Sequence, residues 1–162
     1  MTYPSIIRPA QTMLVFMLGC YALLVFFTNV TDYNVNFTFM EKVSGMSDTY
    51  SEHNRWRSIT NTYLIHFLYW IVIGTEGLSG WFCLSGAWRL WKHRKAGPDD
   101  FAQYKTHAFV GVFIGLMLWL GAFLTVGGEW FLMWQSDEWN AQGTAFHLTE
   151  VYGIALLVLM KE

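Results

Sequence analysis

Long runs of apolar residues separated by short polar connections dominate the sequence. Four such runs extend over residues 10–29, 60–91, 106–135 and 144–160. A helix needs about 20 residues to cross a hydrocarbon core of about 30 Å, and the fourth run is near the lower limit of that length. The pattern therefore predicts an all-α fold: an integral membrane four-helix bundle that forms a single transmembrane domain over residues 1–162.

The first polar connection contains a shorter periodic segment. Its apolar residues recur at helical spacing among charged and polar ones, and they are Phe39, Met40, Val43 and Met46. This spacing predicts a short amphipathic helix that lies on the membrane surface or against the bundle. An ordinary loop is the alternative, because a helix of about three turns is marginal on its own.

Composition agrees with a membrane location, and the absence of known motifs excludes several classes of function. Hydrophobic residues make up 54% of the chain and charged residues 14%, against about 25% charged in soluble domains. A net charge of -2 gives no reason to expect a nucleic-acid partner. Phosphate-binding loops, zinc-protease motifs, paired cysteines and nucleophile elbows are all absent from the sequence. We therefore predict a protein that is not an enzyme and has no metal site.

Basic residues predict the orientation of the bundle. They concentrate in the connection between the second and third runs, at Arg89, Lys92, Arg94, Lys95 and Lys105. The connection after the third run has no Lys or Arg. By the positive-inside rule, the middle connection and both termini are expected on the cytoplasmic side.

Small residues follow one face of the second helix and one face of the third. On the second they are Gly80, Cys83 and Ala87, in register with Glu76, and on the third Gly111 and Gly115 form a GxxxG pair. Because small residues let membrane helices approach closely, we expect these two faces to meet.

Tryptophans follow a different face of the second helix. Trp70, Trp81 and Trp88 are separated by eleven and seven residues, and Trp130 and Trp134 lie in an aromatic segment at the outer end of the third run. Both groups are predicted to contact lipid or a partner subunit.

Five ionisable residues in or near the apolar runs are candidate functional groups: His66, Glu76, Glu129, His147 and Glu150. The three glutamates are expected to be buried polar groups. Such groups are costly in a bilayer, so a buried cluster of them suggests proton transfer, quinone contact, or metal or haem ligation. His66 and His147 at similar depths are candidates for bis-histidine ligation of haem b. The alternative for Glu76 is structural, as a neutral carboxyl hydrogen-bonded to Thr75, Ser79 or a neighbouring helix. No cofactor is expected on balance.

Several segments resemble a bacterial family of predicted small integral membrane proteins that share a domain of unknown function. The likeness is carried by residues 28–33 (TNVTDY), 76–78 (EGL), 86–91 (GAWRLW) and above all 127–136 (GGEWFLMWQS). The resemblance implies a multi-pass protein of the bacterial inner membrane with four helices. It implies no activity and no catalytic residues.

We therefore predict a non-catalytic accessory or stabilising subunit of a larger inner-membrane complex, such as a respiratory or electron-transfer complex, with the lipid bilayer and other membrane subunits as partners. The first alternative is a redox or quinone-linked subunit that uses His66, His147 and Glu76. The second is a small proton or solute transport protein built around Glu76.

Overall fold

The computed structural model describes the backbone of residues 3–161 and the side chains of residues 6–161. Its long helices are α1 (Tyr3–Thr31), α3 (Thr62–Lys92), α5 (Thr106–Leu116) with its continuation, the π segment (Met117–Trp130), and α6 (Gln142–Met160). The shorter helices are α2 (Tyr33–Ser44) and α4 (Pro98–Tyr104), with 3₁₀ turns at Glu52–Arg57 and Met133–Gln135. Strands are absent from the described residues, which confirms the predicted all-α fold.

Four helices are long and apolar enough to cross a bilayer: Ile6–Thr31, Thr62–Lys92, Thr106–Trp130 and Gln142–Met160. α3 packs mainly on α1 and α5, and α6 packs on α5 and the π segment. α1 begins before the predicted residue 10, and Pro4 is compatible with this start because no backbone N–H is needed in the first turn. The four candidate spans confirm the predicted four-helix membrane fold.

The third helix differs from an ordinary α-helix over its outer half. From Met117 to Trp130 it has π geometry, in which backbone bonds run from i to i+5, as in the 3.0 Å bond from Phe131 N to Val126 O. π-helices mostly occur as single turns, so this segment is unusually long. It stops at Trp130 instead of the predicted residue 135, because Leu132 has a left-handed backbone with φ of 54° that cannot continue a right-handed helix.

The predicted amphipathic helix in the first connection is α2, and it packs against the bundle. Met40 and Phe37 contact a buried cluster formed by Tyr69 of α3 and Leu118 of the π segment. Farther along, Met46 packs with Phe131 and Leu132 in a second buried cluster. The first and third connections thus cover the same end of the bundle.

The other end joins both tails to the middle connection. The Arg8 guanidinium donates to the carbonyls of Arg94 (3.1 Å) and Ala96 (2.7 Å). Buried Gln11 donates to the carbonyls of Val158 and Lys161, each at 2.8 Å, and so ties the first span to the end of α6. Lys105 also donates to the Lys161 carbonyl at 2.7 Å. Most of the basic residues are therefore gathered at this end of the bundle.

Candidate functional site

Glu76 is buried in the bundle with 3% of its surface exposed. Its Oε2 accepts a 2.7 Å hydrogen bond from the side-chain amide of Asn29, on α1. The Tyr69 hydroxyl in turn donates to the backbone and side-chain oxygens of Asn29, both at 3.2 Å. Because a carboxyl group in a bilayer needs polar partners, this network explains how the bundle accommodates Glu76.

The observed hydrogen-bond partner of Glu76 is Asn29, on a neighbouring helix, and not Thr75 or Ser79. Thr75 donates instead to the Ile71 carbonyl, and Ser79 donates to the Gly111 carbonyl at 2.9 Å. Sequence reasoning missed Asn29, which it had placed at the very end of the first span. Asn29 lies inside α1, which continues to Thr31. An amide side chain at the end of an apolar helix could have indicated a polar partner on another helix.

A cavity of about 10 Å³ adjoins Glu76 and is lined also by Tyr21, Ser79 and Tyr152. A space of about this size holds roughly one water molecule. The carboxyl therefore lies among hydroxyl groups of three helices at the centre of the bundle.

The small residues all lie at helix contacts, but with different partners. Gly111 approaches α3 so closely that a Cβ there would lie 2.5 Å from the Cys83 nitrogen. Gly80 instead faces Leu23 of α1, and Gly115 lies against the ring of Tyr152 on α6. Ala87 is buried in the same cluster as Cys83. The two small-residue faces thus meet at Cys83 and Gly111, whereas Gly80 and Gly115 contact other helices.

The two candidate haem ligands have different surroundings. His66 Nδ1 is 2.7 Å from the Tyr33 hydroxyl, and its ring stacks on Phe37 with 3.9 Å between centroids. Burial raises the pKa of Tyr33, which favours its protonated, hydrogen-donating form. The side chain of His147 is 80% exposed on α6, where Nδ1 is 3.5 Å from Glu150. The arrangement therefore brings His66 to α2 and directs His147 away from the bundle.

Glu129 and Glu150 do not belong to a buried cluster. The side chain of Glu150 is 51% exposed and shares the outward face of α6 with His147. Glu129 is exposed near the end of the π segment, where the helix leaves the apolar region. This corrects the prediction that both are buried polar groups. Only Glu76 of the three lies in the interior.

The tryptophan face of α3 points outward. Trp70, Trp81 and Trp88 are 55%, 66% and 64% exposed, and Trp130 and Trp134 are similarly exposed at the covered end of the bundle. Gly74 lies on the same face as Trp70 and Trp81, and no atom lies within 4 Å of the position that a Cβ would take there. The face thus has large rings on either side of a notch.

An apolar cavity of about 240 Å³ lies between α2, α3 and the π segment. Phe39, Met40 and Val43 line it from α2, and Ala122 and Phe123 from the π segment. A second cavity of about 590 Å³ lies beside it, and the two share three lining residues, which are Leu68, Val126 and Phe131. None of the five candidate ionisable residues lines the first cavity, and Glu129 lines the second.

These features define a class: a helical integral membrane protein with four candidate spans, a polar network at its centre and apolar outer faces. The comparison with protein families identifies it further. Residues 7–162 match the family described as predicted small integral membrane protein (DUF2165), and the chain belongs to that family. This confirms the resemblance found in the sequence. Searches of curated proteins and of solved structures found no match.

Proposed function

We propose that this protein is a non-catalytic accessory subunit, which binds a partner helix of a larger membrane complex through the tryptophan face of α3. The observation that carries the proposal is the exposure of Trp81, at 66%, beside the open notch at Gly74. Small residues on an outward helix face are typical of contacts between membrane helices.

The depth of Trp81 favours a protein partner over lipid. Trp81 is four residues from Gly77, the middle of α3, and so about 6 Å from it along the helix axis. Tryptophans that serve as lipid anchors lie instead at the membrane interfaces, about 15 Å from the bilayer centre. The Trp81 indole N–H has no hydrogen-bond partner among the described residues, and a polar atom on a partner helix would satisfy it.

The test is a pair of matched glycine substitutions. Gly74→Leu fills the notch, whereas Gly153→Leu places the same side chain on α6 at a position with equally open space. After gentle solubilisation, we expect the wild type and Gly153→Leu to migrate in blue-native gels as a complex, and Gly74→Leu to migrate as the free subunit. A photo-crosslinking residue at position 81 should give a defined product with another membrane protein. A wild-type protein that purifies as a monodisperse free monomer would contradict the proposal.

The location and orientation are part of the same proposal. In this proposal, both termini and the middle connection face the cytoplasmic side of a bacterial inner membrane. The support is the basic end of the bundle, where Arg8 contacts the middle connection and Lys105 contacts the carbonyl of Lys161.

The same preparation distinguishes the alternatives. A Soret band or a retained quinone that is lost in His66→Ala would favour the redox or quinone-linked function. Ion flux in liposomes that Glu76→Gln abolishes would favour transport. The geometry adds no specific support to either, because His66 already contacts Tyr33 and Glu76 contacts Asn29.

A further inference from the structure

The apolar cavity exists because α3 and the third helix separate toward the end of the bundle that α2 covers. At their other half the two helices touch: Gly111 lies against Cys83, and Gly86 against Ala108. From Met117 the third helix continues as the π segment, and α2 enters the space between the two helices. The 240 Å³ cavity is the part of this wedge that α2 leaves unfilled.

The cavity opens toward the surrounding membrane. Ile71 of α3 and Val126 of the π segment line it, and they are 49% and 45% exposed. Ile71 is nine residues from the start of α3, or about 14 Å along its axis, which is within the apolar part of a bilayer. Apolar cavities do not hold ordered water, so a hydrocarbon chain suits this one better than solvent does.

Charged groups lie where the second cavity approaches the polar connections. Trp130 and Glu129 line that cavity. The Arg57 guanidinium lies 5.3 Å from the centre of the Trp130 ring, and its Nη1 is 3.5 Å from the Trp130 carbonyl. Its Nε is buried and has no hydrogen-bond partner among residues 3–161. A cation with an unused donor and an anion thus occur together at the end of an apolar groove.

We propose that this groove binds one zwitterionic phospholipid, with an acyl chain in the apolar cavity, the phosphate on Arg57 and the ammonium group on Glu129. A guanidinium matches a phosphate oxygen geometrically and electrostatically. The carboxylate of Glu129 favours a headgroup with a primary ammonium over one that carries only negative charge. The lipid completes the packing between α2, α3 and the π segment. This proposal does not depend on the accessory role.

The test uses neighbouring residues of the π segment. Ala122→Phe places a ring in the cavity, whereas Gly121→Phe places the same ring at a position that does not line it and has open space around it. Each protein is reconstituted in nanodiscs of phosphatidylethanolamine and phosphatidylglycerol in equal amounts, repurified in mild detergent, and analysed for retained lipid by mass spectrometry.

We expect about one phosphatidylethanolamine per wild-type or Gly121→Phe molecule, and a several-fold lower amount in Ala122→Phe. Leu68→Trp, which fills the groove from α3, should give the same loss if Ala122→Phe does not fold. Arg57→Gln should lower the retention of both lipids, and Glu129→Gln should remove the preference for phosphatidylethanolamine alone. Equal retention in Ala122→Phe, Leu68→Trp and the wild type would overturn the proposal. So would a retained molecule without a phosphate.

Discussion

Asn29 and Glu76 connect α1 and α3 across the centre of the bundle through a 2.7 Å hydrogen bond. Removing one partner leaves the other buried with an unsatisfied polar group, which costs about 1–3 kcal/mol. We therefore expect Asn29→Leu and Glu76→Leu each to lower the free energy of unfolding by about this amount, measured by denaturation in detergent micelles.

The double variant Asn29→Leu with Glu76→Leu separates this bond from general packing. Because both polar groups are then replaced by apolar ones, its loss of stability should be clearly smaller than the sum of the two single losses. Strictly additive losses would show that the two side chains do not interact in the folded protein.

Gly111 provides a second prediction, on the contact between α3 and α5. A Cβ there would lie 2.5 Å from the Cys83 nitrogen, so Gly111→Ala forces the helices apart and should cost about 1–3 kcal/mol. Gly153→Ala is the matched control, since a Cβ there meets no atom within 4 Å and alanine favours a helix over glycine by about 0.5–1 kcal/mol. Thermal unfolding in detergent measures both. A destabilised Gly153→Ala together with an unchanged Gly111→Ala would contradict the close contact.

Tyr33 holds His66 against α2, and its removal should weaken that attachment. Tyr33→Phe loses the 2.7 Å hydrogen bond to His66 and should destabilise the protein by about 0.5–1.5 kcal/mol. Tyr63→Phe is the control, because Tyr63 is 87% exposed and its hydroxyl has no partner among the described residues. A loss confined to Tyr63→Phe would exclude the contact.

The pH dependence of the same variant follows from the pKa of Tyr33. Burial raises this pKa above its ordinary value of 10.0. The unfolded chain therefore loses its phenolic proton first as the pH rises, and the stability from Tyr33 is complete below about pH 10 and decreases above it. As the pH rises above 10, the wild type should lose stability more steeply than Tyr33→Phe. Parallel pH profiles would contradict the raised pKa.

The proposed orientation gives a prediction about reporter fusions. A fluorescent protein that folds only in the cytoplasm should fluoresce when fused after Lys161 or inserted near Gly97. Alkaline phosphatase, which needs an oxidising compartment, should be active only when inserted near Asn140. The reverse result would show that the basic end of the bundle faces outward.

The spans were predictable from sequence because hydrocarbon selects for apolar residues along a whole helix. The inward faces were harder to predict for the same reason. On α6 the lipid-facing and buried sides are both apolar, so nothing in its pattern showed that Tyr152 faces inward and His147 outward. A soluble helix would have revealed its inner face through amphipathicity.

The π segment and the Glu76 network could not be predicted from the sequence for other reasons. A change from α to π geometry alters which residues share a face, but a segment without polar side chains, such as residues 117–124, shows no period to interrupt. Asn29 and Glu76 are far apart in the chain, and only the packing of α1 on α3 brings them together. Long-range pairing of this kind has no local signal.

Gln11 has a consequence for the order of assembly. Its side-chain N–H groups, buried in the first span, reach their acceptors only at the end of the last, on Val158 and Lys161. During synthesis α1 therefore enters the membrane with a polar amide that stays unsatisfied by these partners until α6 is in place. The contact between the first and last spans is therefore completed only after α6 has been inserted.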